Sequence, residues 1–116
     1  DYKSLSSAAP CETSAQIRDR VNKARRIQVK RYEGTGITCN ARLTPDMLKE
    51  YCKTTDDANE YLRISFDRLG MSARAYDRIL KVARTAADLE GSEIIKKSHI
   101  FTAISFRSLD RKYWGE

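Results

Sequence analysis

Few residues in this chain of 116 could do chemistry, and most of those are arginines. Nucleophilic catalysis would need a base beside a serine or cysteine, and His99 is the single histidine. It falls just inside a predicted helix start among apolar neighbours, so it reads as a packed or capping side chain. Cys11, Cys39 and Cys52 lie far apart with no C-x-x-C pair, which supports neither a zinc site nor a disulfide framework. Free thiols fit a reducing cytoplasm, and Cys52, beside Tyr51 on an amphipathic turn, is expected to be a small core residue. Asp56 and Asp57 are adjacent, and adjacent residues on a helix do not face each other; acids at a helix start already complement its dipole. Gly34-Thr35-Gly36 is too short for a phosphate cradle, and no glycine-rich loop ending in Gly-Lys-Ser or Gly-Lys-Thr occurs. The chain by itself is therefore expected not to be an enzyme, with no catalytic or metal-binding residue of its own.

What remains is guanidinium chemistry, the binding of phosphate by a planar, always-charged fork. Arg74 is the sharpest candidate, because it falls in the first turn of a predicted helix, where free N–H groups and the dipole also attract anions. Arg78 lies one turn further along the same face, followed by Lys81 and Asp88. Arg74 could equally be an exposed side chain without a partner, or be paired with Asp77 or Asp67, and spacing leaves these alternatives open. A second basic group, Arg18, Arg25, Arg26 and Lys30, belongs to a helix that is basic nearly all round, with Asp19 its one acid. Self-repulsion should weaken that helix in isolation, and a polyanion or an acidic neighbouring surface would relieve the cost.

The elements that must position these residues follow from caps and periodicity. Thr13 stands three residues before Gln16, a capping-box spacing, and Ile17, Val21, Ala24 and Gln28 or Ile27 recur at helical spacing behind it. Thr44-Pro45 opens a short helix ending near Tyr51 or Cys52. Thr54 or Thr55 caps the next, with Ala58, Tyr61, Leu62, Ser65, Phe66 and Leu69 facing inward. Gly70 can close that helix in the left-handed conformation, and Ser72 can open another that runs to about Leu89. On this central helix Ala75, Ile79, Val82, Ala86 and Leu89 form one apolar stripe, with Tyr76, Leu80, Ala83 and Ala87 beside it. Such a wide apolar face predicts several packing neighbours. Ile94-Ile95 makes a brief extended contact, and Ser98 can cap a last helix through about Arg107.

The expected fold is all-α, a single bundle of about five helices, with a linker over residues 1–12, the helical domain over 13–111 and a charged tail over 112–116. At 41% hydrophobic residues the chain can bury a modest core, and its net charge of +6 favours an anionic partner. No apolar run approaches the roughly 20 residues needed to span a bilayer. The chain opens at Asp1 without methionine, which reads as a piece of something longer.

The segment Ser72-Ala73-Arg74-Ala75-Tyr76-Asp77-Arg78-Ile79-Leu80-Lys81-Val82-Ala83-Arg84-Thr85-Ala86-Ala87-Asp88-Leu89 resembles the signature of the C-terminal domain of the magnesium-chelatase-related ComM/YifB proteins. Glu12-Thr13-Ser14, Ile17-Arg18-Asp19-Arg20-Val21, Asn40-Ala41, Tyr51-Cys52, His99 and Arg107-Ser108-Leu109-Asp110-Arg111 add to the likeness, which covers nearly the whole chain. These proteins are AAA+ ATPases. The resemblance implies a helical lid that follows an ATPase core, with Arg74 matching the sensor-2 arginine that touches the γ-phosphate of ATP; Arg78, one turn on, could by its position contact the phosphates or an acidic core surface. It also implies ATP and Mg²⁺ as cofactors of the full-length protein, an upstream core and neighbouring subunits of a homo-hexamer as partners, a cytoplasmic setting and a DNA-processing role such as branch migration. Sensor 2 would then be able to serve a neighbouring subunit's nucleotide. The alternative from a different class is a free-standing basic helical module that binds DNA through Arg18, Arg25, Arg26 and Lys30. A parent protein that handles metal insertion is a third reading, which no residue here discriminates.

Overall fold

Helix starts fall where short side chains can cap them. The computed structural model describes residues 13–114, with side chains up to Arg107. It contains five α-helices: α1 (Ser14–Arg31), α2 (Pro45–Tyr51), α3 (Asp56–Leu69), α4 (Ala73–Glu90) and α5 (Lys97–Trp114), with a 3-10 turn at Asn40–Arg42. The fold is all-α, as expected. The proposed linker over residues 1–12 lies outside the described residues. Thr13 and Gln16 form the reciprocal capping box, Thr44 caps α2 with Pro45 behind it, and Thr55 caps α3.

Two expectations at the last helix need correcting. α5 begins at Lys97 and continues to Trp114, well past Arg107, and Ser98 does not cap it. The cap is supplied by His99, whose Nδ1 accepts from the Lys96 N–H at 2.9 Å. With Nδ1 accepting, Nε2 carries the proton and donates to Glu90 Oε2 at 3.2 Å, so this buried histidine joins the end of α4 to the start of α5. The extended contact at Ile95 is a single parallel bridge to Thr54, tied by Thr55 N–H to Ile95 O and Ile95 N–H to Lys53 O, both 3.0 Å.

α4 is the packing centre, touching α1, α2, the 3-10 turn and α5, while α3 seats against α5. Ala75, Ile79, Leu80, Ala83 and Ala87 of α4 meet Leu43, Leu48, Ala58, Leu62, Met71, Ile95, Ile100 and Ala103 in one core. Cys52 is buried there as expected, and burial pushes its thiol up to about 11.

The face α4 buries is rotated from the one periodicity predicts. Val82 and Leu89 are partly exposed, and the buried face continues instead through Arg84 and Asp88. Leu69 and Ile27 are likewise exposed rather than inward, and Gln28 takes the inner position on α1. Apolar counting fails here because a charged pair can occupy core positions when its carboxylate and both guanidinium Nη atoms find partners, Arg84 Nε alone lacking one, and aliphatic residues are left outside.

Candidate functional site

Arg74 is set by a corner built almost entirely from local hydrogen bonds. Gly70 takes φ 59° and ψ 42° at the end of α3, with its own N–H and that of Met71 both directed to Phe66 O. A residue with a Cβ would be strained in that left-handed conformation. Met71 is buried, and Ser72 Oγ accepts from the Ala75 N–H at 3.1 Å. The Tyr76 N–H bonds to Ser72 O, so the remaining free amides at the helix start belong to Ala73 and Arg74. Phe66 and Tyr76 brace the corner from either side in an edge-to-face contact, centroids 5.6 Å apart.

The Arg74 side chain is exposed, while the opposite side of α4 is buried at Ala75, Ile79 and Ala83. Asp67 is paired with Arg63 at 3.6 Å rather than with Arg74. The geometry is that of a cation on a fixed stem at the positive end of a helix, suited to an anion delivered from outside. Arg78 follows one turn later and lines a groove of about 330 Å³ between α4 and α5, whose floor is Ala75, Ile79, Val82 and Ala103. Arg74 and Arg78 therefore share a face.

The other candidate residues stand on another element. Arg18, Arg25, Arg26 and Lys30 are exposed on α1, and Arg25, Arg26, Val29, Lys30 and Glu33 enclose a shallow depression of about 440 Å³. α1 is anchored to the last turn of α4 at Asp88, whereas Arg74 is in its first, roughly 20 Å away along the axis at 1.5 Å per residue. The two basic groups thus stand on different helices. No group of three or more His, Cys, Asp or Glu able to hold a metal ion occurs among the described residues.

What joins the two ends was not legible in the sequence. Asp88 falls there on the face of Arg74 and Arg78, further along the helix, yet it is 3% exposed. Its carboxylate accepts from Arg31 Nη1 at 3.0 Å and Nη2 at 2.5 Å, and from Asn40 Nδ2 at 2.9 Å. Arg84, 2% exposed, pairs with it at 3.1 Å and donates to the carbonyls of Ser92 and Glu93. Asn40 extends the network, accepting from Tyr32 Oη, donating to Thr85 Oγ1 and, through its backbone N–H, donating to Gln28 Oε1. The hydrogen bonds to Asp88 hold the Arg31 guanidinium charged, above its ordinary range, and burial raises the Tyr32 phenol. A faint signal existed: Arg84 and Asp88 are four residues apart on the flank of an otherwise apolar helix face.

The described residues thus form a helical bundle that presents an exposed arginine in the first turn of α4. The chain matches the family described as magnesium chelatase, subunit ChlI C-terminal, over residues 11–107. It belongs to that family. It is similar to the competence protein ComM of Haemophilus influenzae, 41% identical over 100 residues, covering 86% of this chain and 19% of that protein. The uncharacterized protein YifB of Escherichia coli is 39% identical over 102 residues, covering 88% of this chain and 19% of that protein. A Mycobacterium bovis protein, also uncharacterized, is 35% identical over 101 residues, 87% of this chain and 20% of its own length. The chain thus spans about a fifth of the length of these relatives.

Proposed function

We propose that this chain is the C-terminal helical lid of a magnesium-chelatase-related AAA+ ATPase, and that Arg74 is its sensor-2 arginine. The observation that carries the reading is an exposed guanidinium in the first turn of a helix buried on its opposite side, in a chain of this family. A cation held on a rigid stem stabilises charge developing on a transferred phosphoryl group without reorganising. In this reading ATP and Mg²⁺ are bound by the ATPase core of the full-length protein, which also supplies the water-positioning residue. Arg74 reaches the γ-phosphate, and Arg78, one turn on, faces the same anionic ligand or the core surface. The lid also contributes contacts to a hexameric ring, and the resemblance to ComM favours a DNA-processing substrate.

The test is the full-length Arg74→Ala variant, expected to bind ATP but hydrolyse it poorly. Normal turnover in that variant would remove Arg74 from the mechanism. A second reading, the DNA-binding module, is favoured by the basic residues of α1. It predicts salt-dependent duplex binding by this chain that is lost with charge removal at Arg18, Arg25, Arg26 and Lys30 and is indifferent to Arg74.

A further inference from the structure

The charge of this protein sits on one helix. α1 carries seven of the 22 Lys and Arg residues and one of the 16 Asp and Glu residues, so its surplus of six equals the net charge of the whole chain, and everything else balances. Arg31 is turned inward to Asp88 and Lys23 is paired with Asp19 at 3.5 Å. Arg18, Arg20, Arg25, Arg26 and Lys30 remain exposed, and all but Arg20 lie toward the outer side of the helix. Arg26 and Lys30 are like charges one turn apart, a repulsion that costs stability unless something acidic lies against them.

A further observation says what kind of surface that is. Val29 is 51% exposed in the middle of the patch, bordered by Arg25, Arg26 and Lys30 in the same depression. Phosphate backbones reward the charges but gain nothing from β-branched side chains among them, whereas protein interfaces combine apolar contact with arginine.

We infer that the outer face of α1, formed by Arg18, Arg25, Arg26, Val29 and Lys30, docks onto an acidic, aliphatic-bearing protein surface in the part of the parent polypeptide that this chain does not include. The relatives are about five times as long as this chain, so there is ample sequence to supply that surface. The buried Arg31–Asp88 pair fixes the end of α1 to α4, so docking at α1 also fixes the helix that carries Arg74. The inference rests on the proposed reading only in taking this chain as one part of a longer protein.

The experiment is amide hydrogen exchange over α1, measured in this chain and in the full-length parent, with and without a short DNA duplex. In the parent, α1 exchange slows about tenfold, equivalent to about 1.4 kcal/mol of docking free energy. Both Arg25→Glu with Arg26→Glu and, separately, Val29→Ser return the parent to the rate of the isolated chain, and circular dichroism of each variant confirms that the helices remain. Equal exchange in chain and parent overturns the inference. So does slowing that these variants leave untouched. Slowing that appears only with the duplex, and ignores Val29→Ser, overturns it in favour of nucleic acid. ATP hydrolysis by the Arg74→Ala protein is a separate measurement, so failure of the docking surface and failure of the sensor role are told apart.

Discussion

Asp88→Asn is the perturbation that should damage this fold most for the smallest change in shape. The carboxylate neutralises two guanidiniums, and the amide that replaces it offers one carbonyl oxygen and turns donors toward donors. Arg31 is 18% exposed along its side chain and can recover water, but Arg84 is 2% exposed and cannot. Leaving one member of a buried pair unpartnered typically costs about 3–5 kcal/mol. The carbonyls of Ser92 and Glu93 still accept from Arg84, which places the expected loss near the lower end, about 3 kcal/mol. That is a large share of the roughly 5–15 kcal/mol that holds a small domain together. For a domain of about 100 residues it lowers Tm by roughly 12–24 °C, read by thermal or urea denaturation followed by far-UV circular dichroism. A double-mutant cycle with Arg84→Met sharpens the test. Once the buried cation is gone, Asp88→Asn should cost about 1–3 kcal/mol less. A loss below about 0.5 kcal/mol for Asp88→Asn, or strict additivity in the cycle, would refute the account of Asp88 as the buried hub.

Arg74→Ala should leave the stability of this chain within about 0.5 kcal/mol of the parent sequence, because its side chain is exposed; a large fall in Tm would mean Arg74 holds the corner together. Gly70→Ala should cost about 1 kcal/mol from backbone strain alone, since a Cβ at φ +59 meets nothing within 4 Å, and Gly70→Asn should cost less. Cys52 should alkylate much more slowly than the partly exposed Cys39 at mildly alkaline pH, followed peptide by peptide in the mass spectrometer. Because its folded pKa is raised, stability from the buried thiol is full below the unfolded value of 9.0 and falls as pH rises toward about 11; Cys52→Ala should abolish that part of the alkaline loss.

The amino-acid sequence by itself determined where the first four helices begin and where α3 ends, and so the corner that carries Arg74. Thr13 with Gln16, Thr44 with Pro45, Thr55, and Gly70 with Ser72 act through hydrogen bonds spanning three to five residues, so residue types at fixed spacing suffice to read them. The sequence also placed Arg74 and Arg78 on one face of α4 and the second basic group on α1. Only the tertiary structure decided which side of α4 is inside. Asp88 is buried because Arg31 and Asn40, 57 and 48 residues away, arrive to satisfy it, and no local periodicity encodes that meeting. Val82 and Leu89 are displaced outward by the same arrangement, since helix faces are filled by whichever residues find partners, and a carboxylate with its hydrogen bonds complete competes with an aliphatic chain for the interior.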